Sequence, residues 1–102
     1  MHAAPLSVSI KGRHVSLSGE LDMSTRAIFD NEVALIPPGG PITIDLSELT
    51  FMDSTGIHAI VSLARRCADD VFLENPQGAV RKILDIAGVD ERTGVHVRKT
   101  ED

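Results

Sequence analysis

Apolar and polar residues alternate at the start of the chain. Leu6, Val8 and Ile10 are interleaved with Ser7, Ser9 and Lys11, and after Gly12-Arg13 the alternation resumes at Val15 and Leu17. A period of two places successive side chains on opposite faces of an extended chain, so this stretch predicts a β-hairpin. The period then changes. Phe29, Val33 and Ile36, flanked by Ile28 and Leu35, stand at i, i+4 and i+7 and predict a helix that Ser24 caps and Pro37-Pro38-Gly39-Gly40 stops. Ile42, Ile44 and Leu46 predict a strand with Thr43 and Asp45 on its other face, followed by a connecting segment carrying Leu49, Phe51 and Met52. A second helix has Ile57, Ile60, Val61 and Ala64 as its apolar face, with His58, Ser62, Arg65 and Arg66 on or near the wet side. Val71-Phe72-Leu73 reads as a short buried strand. Asn75-Pro76 supplies an N-cap and a first-position proline for a third helix, with the stripe Val80, Ile83, Leu84 and Ala87. Gly88 closes that helix with Val89 folded back toward Leu84, and Val95 and Val97 make a last short strand. The order β-β-α-β-α-β-α-β predicts a single α/β domain over 1–102, parallel wherever a helix connects neighbouring strands.

Composition narrows what such a domain does. A chain of 102 residues has room for one core and no second domain. Ten basic and fifteen acidic residues, spread along the sequence, give a net charge of −5 and no basic stripe to neutralise a phosphate backbone. Trp and Tyr are absent and Phe29, Phe51 and Phe72 are the only aromatic rings apart from histidine, so nucleic acid is not an expected partner. One cysteine, Cys67, excludes an internal disulfide and fits a reducing compartment. With no leader-like segment and no apolar run near the roughly 20 residues a spanning helix needs, the chain is expected to be complete, cytoplasmic and not inserted in a membrane.

The chemistry concentrates at Asp53-Ser54-Thr55-Gly56, where the apolar strand region hands over to the second helix. A helix N-terminus has unpartnered N–H groups and a positive dipole end, so a phosphate on Ser54 is compatible with the fold. Taken alone, the tetrapeptide is also an ordinary helix start. Gly56 in a first helical turn reduces stability, which calls for a reason: close approach of a partner backbone, or a short loop. A second acidic signature, Gly19-Glu20-Leu21-Asp22, closes the hairpin. Asp22 and Asp53 suit the hard cation of a kinase's nucleotide, and they equally suit turns and helix starts.

Set together, these segments resemble the STAS domain of the anti-sigma factor antagonist (anti-anti-sigma factor) family. The resemblance rests on Gly19-Glu-Leu-Asp22 with Ser24-Thr25, on Ile44-Asp-Leu-Ser47, on Leu49-Thr-Phe-Met-Asp-Ser-Thr-Gly-Ile57, and on Asn75-Pro76 with Val80-Arg-Lys-Ile-Leu84 before Ala87-Gly-Val89. It implies a small mixed β-sheet with helices packed mainly on one face. It further implies that Ser54 is phosphorylated by an anti-sigma factor that is itself a serine kinase, with Thr55 as a secondary acceptor, and that a phosphatase resets the domain. In the family the unmodified form captures the anti-sigma factor and frees the sigma factor. The partner-binding residues expected on this basis are Asp22, Ser24, Thr25, Asp53, Thr55, Gly56, His58 and Ser62. His58 replaces the family's usual glycine, Ala68-Asp69-Asp70 lacks its usual glycine turn, and the customary long last helix has no room before Asp102.

Other readings fare less well. No Gly-x-x-x-x-Gly-Lys-Ser/Thr run exists, so the chain is not the kinase. His2, His14, His58 and His96 have no metal-ligand spacing with one another or with Cys67, and no nucleophile–base pair emerges. Neither catalysis nor a cofactor is expected. A response-regulator receiver would need acidic residues where the first strand ends in Lys11-Gly12-Arg13. Two alternatives of another class remain: an accessory STAS subunit of a membrane transport ATPase complex, which would not need Ser54, and a small-ligand or nucleotide sensor using the same helix N-terminus.

Overall fold

The computed structural model describes residues 5–89 and 91–98. Strands β1 (Leu6–Lys11) and β2 (His14–Leu21) form an antiparallel hairpin turning at Gly12, whose φ of +60° favours glycine. Helix α1 (Arg26–Val33), strand β3 (Ile42–Met52), helix α2 (Ser54–Cys67), strand β4 (Val71–Glu74), helix α3 (Gly78–Ala87), a 3-10 turn at Glu91–Thr93 and strand β5 (Val95–Arg98) follow. The sheet order is β1-β2-β3-β4-β5, with every pairing after the hairpin parallel. Parallel crossovers are almost always right-handed, so three that move the same way across the sheet carry all three helices to one face.

Register makes that face apolar. Ile10, Val15, Ile44, Leu73 and Val97 lie in one row across all five strands, and Ile42, Val71 and Val95 in another. Beneath the helices, Val15, Ile42, Ile44, Val71 and Leu73 are fully buried. The row next to them on the opposite face runs Ser9, Ser16, Asp45, Glu74 and Arg98, so that side of the sheet is polar. Phe72 is an exception there, stacked on the His96 ring at 5.2 Å with the Arg98 guanidinium 4.1 Å above it.

Several boundaries differ from the pattern-based expectation. β3 does not end at Leu46: Leu49, Phe51 and Met52 belong to the strand and not to a connecting segment. Opposite β2, the register slips between Ser16 and Ser18 and again between Gly19 and Glu20, each slip adding one residue to β3. These bulges turn the buried spacing from two to three, giving Leu46, Leu49 and Met52 a common side that period-two reading misses. Thr25, not Ser24, is the N-cap of α1, and the helix proper stops at Val33, although Ile36 beyond it is buried as expected. In α2 the buried set is Gly56, Ala59, Ile60, Leu63, Ala64 and Cys67, with Ile57 and Val61 only partly covered; the helix is wedged between α1 and α3 and buries a wider arc than one sheet contact requires. Asn75 does not cap α3. It adopts φ +59°, Pro76 is buried, and the cap position falls to Gln77. Ala87 of the expected α3 stripe is exposed, because the helix reaches the core only through Val80, Leu84 and in part Ile83. The missing glycine turn after α2 is supplied by Ala68 at φ +54°.

Candidate functional site

The end of β3 and the end of β2 are neighbours, Leu21 pairing with Met52, so the residues that follow each strand emerge side by side. Asp53 continues in extended conformation as the N-cap of α2, and its Oδ1 accepts the Gly56 N–H at 3.2 Å. Ser54 is the first helical residue and is exposed. Its hydroxyl has no hydrogen-bond partner among the described residues. The N–H groups of Ser54 and Thr55 have no intrahelical acceptor, and α2 carries no acidic residue in its first turn while Arg65 and Arg66 sit in its last. The first turn thus leaves the positive end of the dipole at Ser54 with no acid of its own to offset it beyond the Asp53 cap.

Gly56 is buried, and the reason is internal. A Cβ there would lie 2.6 Å from Met52 Cγ and 2.9 Å from the Leu21 carbonyl oxygen, so the glycine lets α2 start directly on the two strand ends. Neither close approach of a partner nor a short loop explains it.

Across from Ser54, the turn from β2 into α1 is built on Asp22 and Thr25. Asp22 Oδ1 accepts the Ser24 N–H at 3.0 Å, the Ser24 hydroxyl at 2.8 Å and the Thr25 N–H at 3.2 Å. Thr25 is fully buried; its hydroxyl donates to the Glu20 carbonyl at 2.9 Å and accepts the Asp22 N–H at 2.9 Å. The Ser24 hydroxyl leads the interactions that hold the Asp22 carboxyl below its ordinary value, against the opposing effect of desolvation. Asp22 is therefore a fixed anion, positioned by its own turn.

Of the residues expected to bind a partner, the structure brings Asp22, Ser24 and Asp53 to one shallow, open surface depression, which Met23 and Phe51 complete. Thr25 and Gly56 are buried below this surface and support it without reaching it. His58 and Ser62 extend along exposed positions of α2. Ser62 accepts from Arg26 at 3.4 Å and lines a separate groove of about 220 Å³ between α1 and α2, whose rim also carries Asp30 and Arg66. Arg66 is occupied there by the Val33 and Ile36 carbonyls at 2.7 and 3.2 Å. Sequence reasoning missed Met23 and Phe51. Phe51 was legible in principle, because a residue next to a core Met52 on one strand must face outward. Among the described residues no group of histidine, cysteine and acidic side chains is arranged to hold a metal ion, and no helix is long and apolar enough to cross a membrane.

A small α/β sheet with a hydroxyl at the start of its second helix is the architecture of a STAS domain. This chain belongs to the family described as Mlab, STAS domain, whose model matches residues 6–98. Its fold is that of an anti-sigma factor antagonist from Mycobacterium paratuberculosis, with a TM-score of 0.71 at 21% identity over 89% of this chain and 83% of that one. The antagonist SpoIIAA in its unphosphorylated form matches with a TM-score of 0.55 at 20% identity, over 94% of this chain and 89% of the other. The phosphorylated form of SpoIIAA from Bacillus matches with a TM-score of 0.58 at 19% identity, over 92% and 91%. No curated protein matches the chain by sequence.

Proposed function

We propose that this domain is an anti-sigma factor antagonist whose binding to a serine-kinase anti-sigma factor is switched by phosphorylation of Ser54. The observation that carries this reading is the Ser54 hydroxyl: exposed, without an internal hydrogen bond, and set on the positive end of a 14-residue helix. Such a hydroxyl is free to enter a kinase active site and tolerates the product charge. In the transfer step the Ser54 oxygen forms a bond to the terminal phosphorus of the nucleotide, the bond from that phosphorus to the bridging oxygen breaks, and the hydroxyl proton passes to a basic group of the kinase, leaving the nucleoside diphosphate as the other product.

Phosphate adds about 1.5 to 2 negative charges at Ser54. Inside the domain the helix N-terminus offsets them. Against the partner, one like-charge contact about 4 Å away costs on the order of 4 kcal/mol at surface-like screening, close to a thousandfold in affinity. The penalty thus falls on the complex and not on the fold. Release returns the partner to its sigma factor, and a phosphatase restores the unmodified form. On this reading Thr55 is a secondary acceptor, His58 and Ser62 extend the contact, the domain has no catalytic activity of its own, and it works in the cytoplasm.

The test is to incubate the chain with its kinase partner and ATP, map the phosphate by mass spectrometry, and compare both forms in binding and melting. The expected result is phosphate on Ser54, at most slower modification of Thr55 in Ser54→Ala, binding weakened about a thousandfold, and a stability change under about 1 kcal/mol. Phosphorylated protein that binds the kinase as tightly as the unmodified form sinks the proposal. Constitutive capture of a transport ATPase by an unmodified chain would establish the accessory-subunit alternative instead.

A further inference from the structure

The two edges of the sheet are unlike each other. β5 has four residues and ends in Arg98, whose guanidinium pairs with Glu74 at 2.8 Å and lies over the Phe72 ring. β1 has six, pairs with β2 without a register slip, and contains no proline and no charge before Lys11. Among the described residues no strand lies on its outer side, so a row of backbone N–H and C=O groups faces outward. A regular, weakly guarded edge of this kind is a template for another strand.

Apolar side chains stand uncovered beside that edge. α1 packs over β1, whereas α2 lies over β3, β4 and β5. Arg26 reaches Ser62 at 3.4 Å, which fixes the side of α1 turned to α2. At about 100° per residue, Ile28 lies about 160° around the helix from Arg26 and therefore points past β1, away from α2. Leu35 is seven positions on, in a turn continued by the bond from its N–H to the Glu32 carbonyl, and so stands above Ile28. Ile28 is 39% exposed and Leu35 77%, and Val8 and Ile10 of β1 are only half-buried.

The strand that fits this edge is β1 itself. Antiparallel pairing of two copies about a two-fold axis joins like faces when Val8 opposes Val8 or Ser9 opposes Ser9; a one-residue slip sets serine against isoleucine. The Val8 register opposes Leu6 to Ile10 and Ser7 to Ser9, and it sets Lys11 of each copy opposite Pro5 of the other. The Pro5 carbonyl accepts the Glu20 N–H at 2.7 Å. Lys11 of one copy and Glu20 of the other then lie on the polar face two strands apart, about 10 Å, a span their side chains bridge. In the Ser9 register Lys11 would face Ser7, whose neighbour on β2 is Ser18, and would meet no acid. Within one chain Lys11 and Glu20 sit at opposite ends of the hairpin, Lys11 pairing with His14 and Leu6 with Gly19.

We propose that β1 is a homodimer contact, in which two copies pair β1 antiparallel with Val8 on the two-fold axis and join two five-stranded sheets into one. Ile28 and Leu35 of the two α1 segments close over the seam, and a Lys11–Glu20 ion pair forms at each end. The contact is small against the roughly 800 Å² per partner of a standard interface, so the dimer is weak and dependent on concentration. It is independent of the state of Ser54.

Sedimentation velocity of the purified chain between about 10 μM and 1 mM, at about 50 mM salt, provides the test. Wild type is expected to move from monomer toward dimer across that range. Ile28→Glu/Leu35→Glu changes two exposed positions, with folding checked by circular dichroism, and is expected to weaken association at least about tenfold. Lys11→Glu is expected to weaken it too, and Lys11→Glu/Glu20→Lys to restore it to within about twofold of wild type. Because the two residues do not meet within one chain, such a rescue acts only between copies. A wild-type chain that stays monomeric throughout overturns the proposal, and so does a dimer that Ile28→Glu/Leu35→Glu leaves unchanged. A Lys11→Glu variant that associates like wild type, or a charge swap that fails to restore association, overturns the Val8 register.

Discussion

Gly56 shows how one residue couples packing to the site. Ala in an exposed helix interior is favoured over Gly by about 1 kcal/mol, so propensity alone would make Gly56→Ala stabilising. Here the added carbon meets the Leu21 backbone carbonyl at 2.9 Å and Met52 Cγ at 2.6 Å, and the carbonyl cannot rotate away. Overpacking of this kind costs typically 1–3 kcal/mol. The expected outcome is a net loss of stability in urea denaturation; a variant more stable than wild type would show that α2 can lift off the strand ends. Thr25 works in a similar way, its buried hydroxyl joining the Glu20 carbonyl to the Asp22 N–H so that the Asp22 turn keeps its shape. Both residues entered as candidate partner contacts, and both act from beneath the surface. A sequence marks that a position is special without saying on which side of the surface it lies.

At the level of elements, the segment between α1 and β3 is anchored on one side by Arg66 of α2 and on the other by one side chain from the hairpin. Arg13 donates to the carbonyls of Pro37 at 2.7 Å, Gly40 at 2.6 Å and Pro41 at 3.0 Å. Prolines lack an N–H, so this Pro- and Gly-rich stretch has few donors of its own and its carbonyls depend on a guanidinium fork. Arg13→Ala is expected to lower stability by about 1–2 kcal/mol, toward the lower end of what hydrogen bonds to charged groups contribute, because the site is largely exposed. Arg13→Lys should recover only part, since an ammonium lacks the planar fork. Full recovery by lysine, measured by chemical denaturation, would refute the geometric account. The elements themselves were largely legible in the sequence: their number, order and type follow from the switch between periods of two and about 3.6. Boundaries at β3 and α3 were not. Two bulges re-space Leu46, Leu49 and Met52, and a left-handed Asn75 postpones α3 to Gly78, and both arise from pairing with other parts of the chain.

For the molecule as a whole, two carboxylates tie folding to pH. Burial pushes the Asp45 carboxyl up, but hydrogen bonds from the Asn75 amide and from the Ser47 N–H and hydroxyl outweigh it and hold it below its ordinary value of 3.8. Asp22 is lowered as well, chiefly through Ser24. A carboxyl with a folded pKa below its unfolded value binds protons more weakly when folded. Its contribution is present above the unfolded pKa, near 4, and is lost as pH falls through the folded value. Thermal midpoints are therefore expected to decline on acidification below about pH 4, and Asp45→Asn should flatten that decline. An unchanged acid limb in Asp45→Asn would remove Asp45 from the account. Since Asp45 lies on the polar sheet face and Asp22 at the site, acid acts on both regions together.

The sequence by itself determined the α/β class, the strand and helix order, most of the core and the place of Ser54 at the head of α2. These depend on local periodicity and capping chemistry, which neighbouring residues settle among themselves. Only the tertiary structure decided that Leu21 and Met52 lie side by side, that Gly56 is glycine for packing, and that Met23 and Phe51 join Asp22 and Asp53 on one patch of surface. Those facts depend on the register between β2 and β3, strands separated by a helix in the chain. Register is a property of the pair, and neither strand carries it alone.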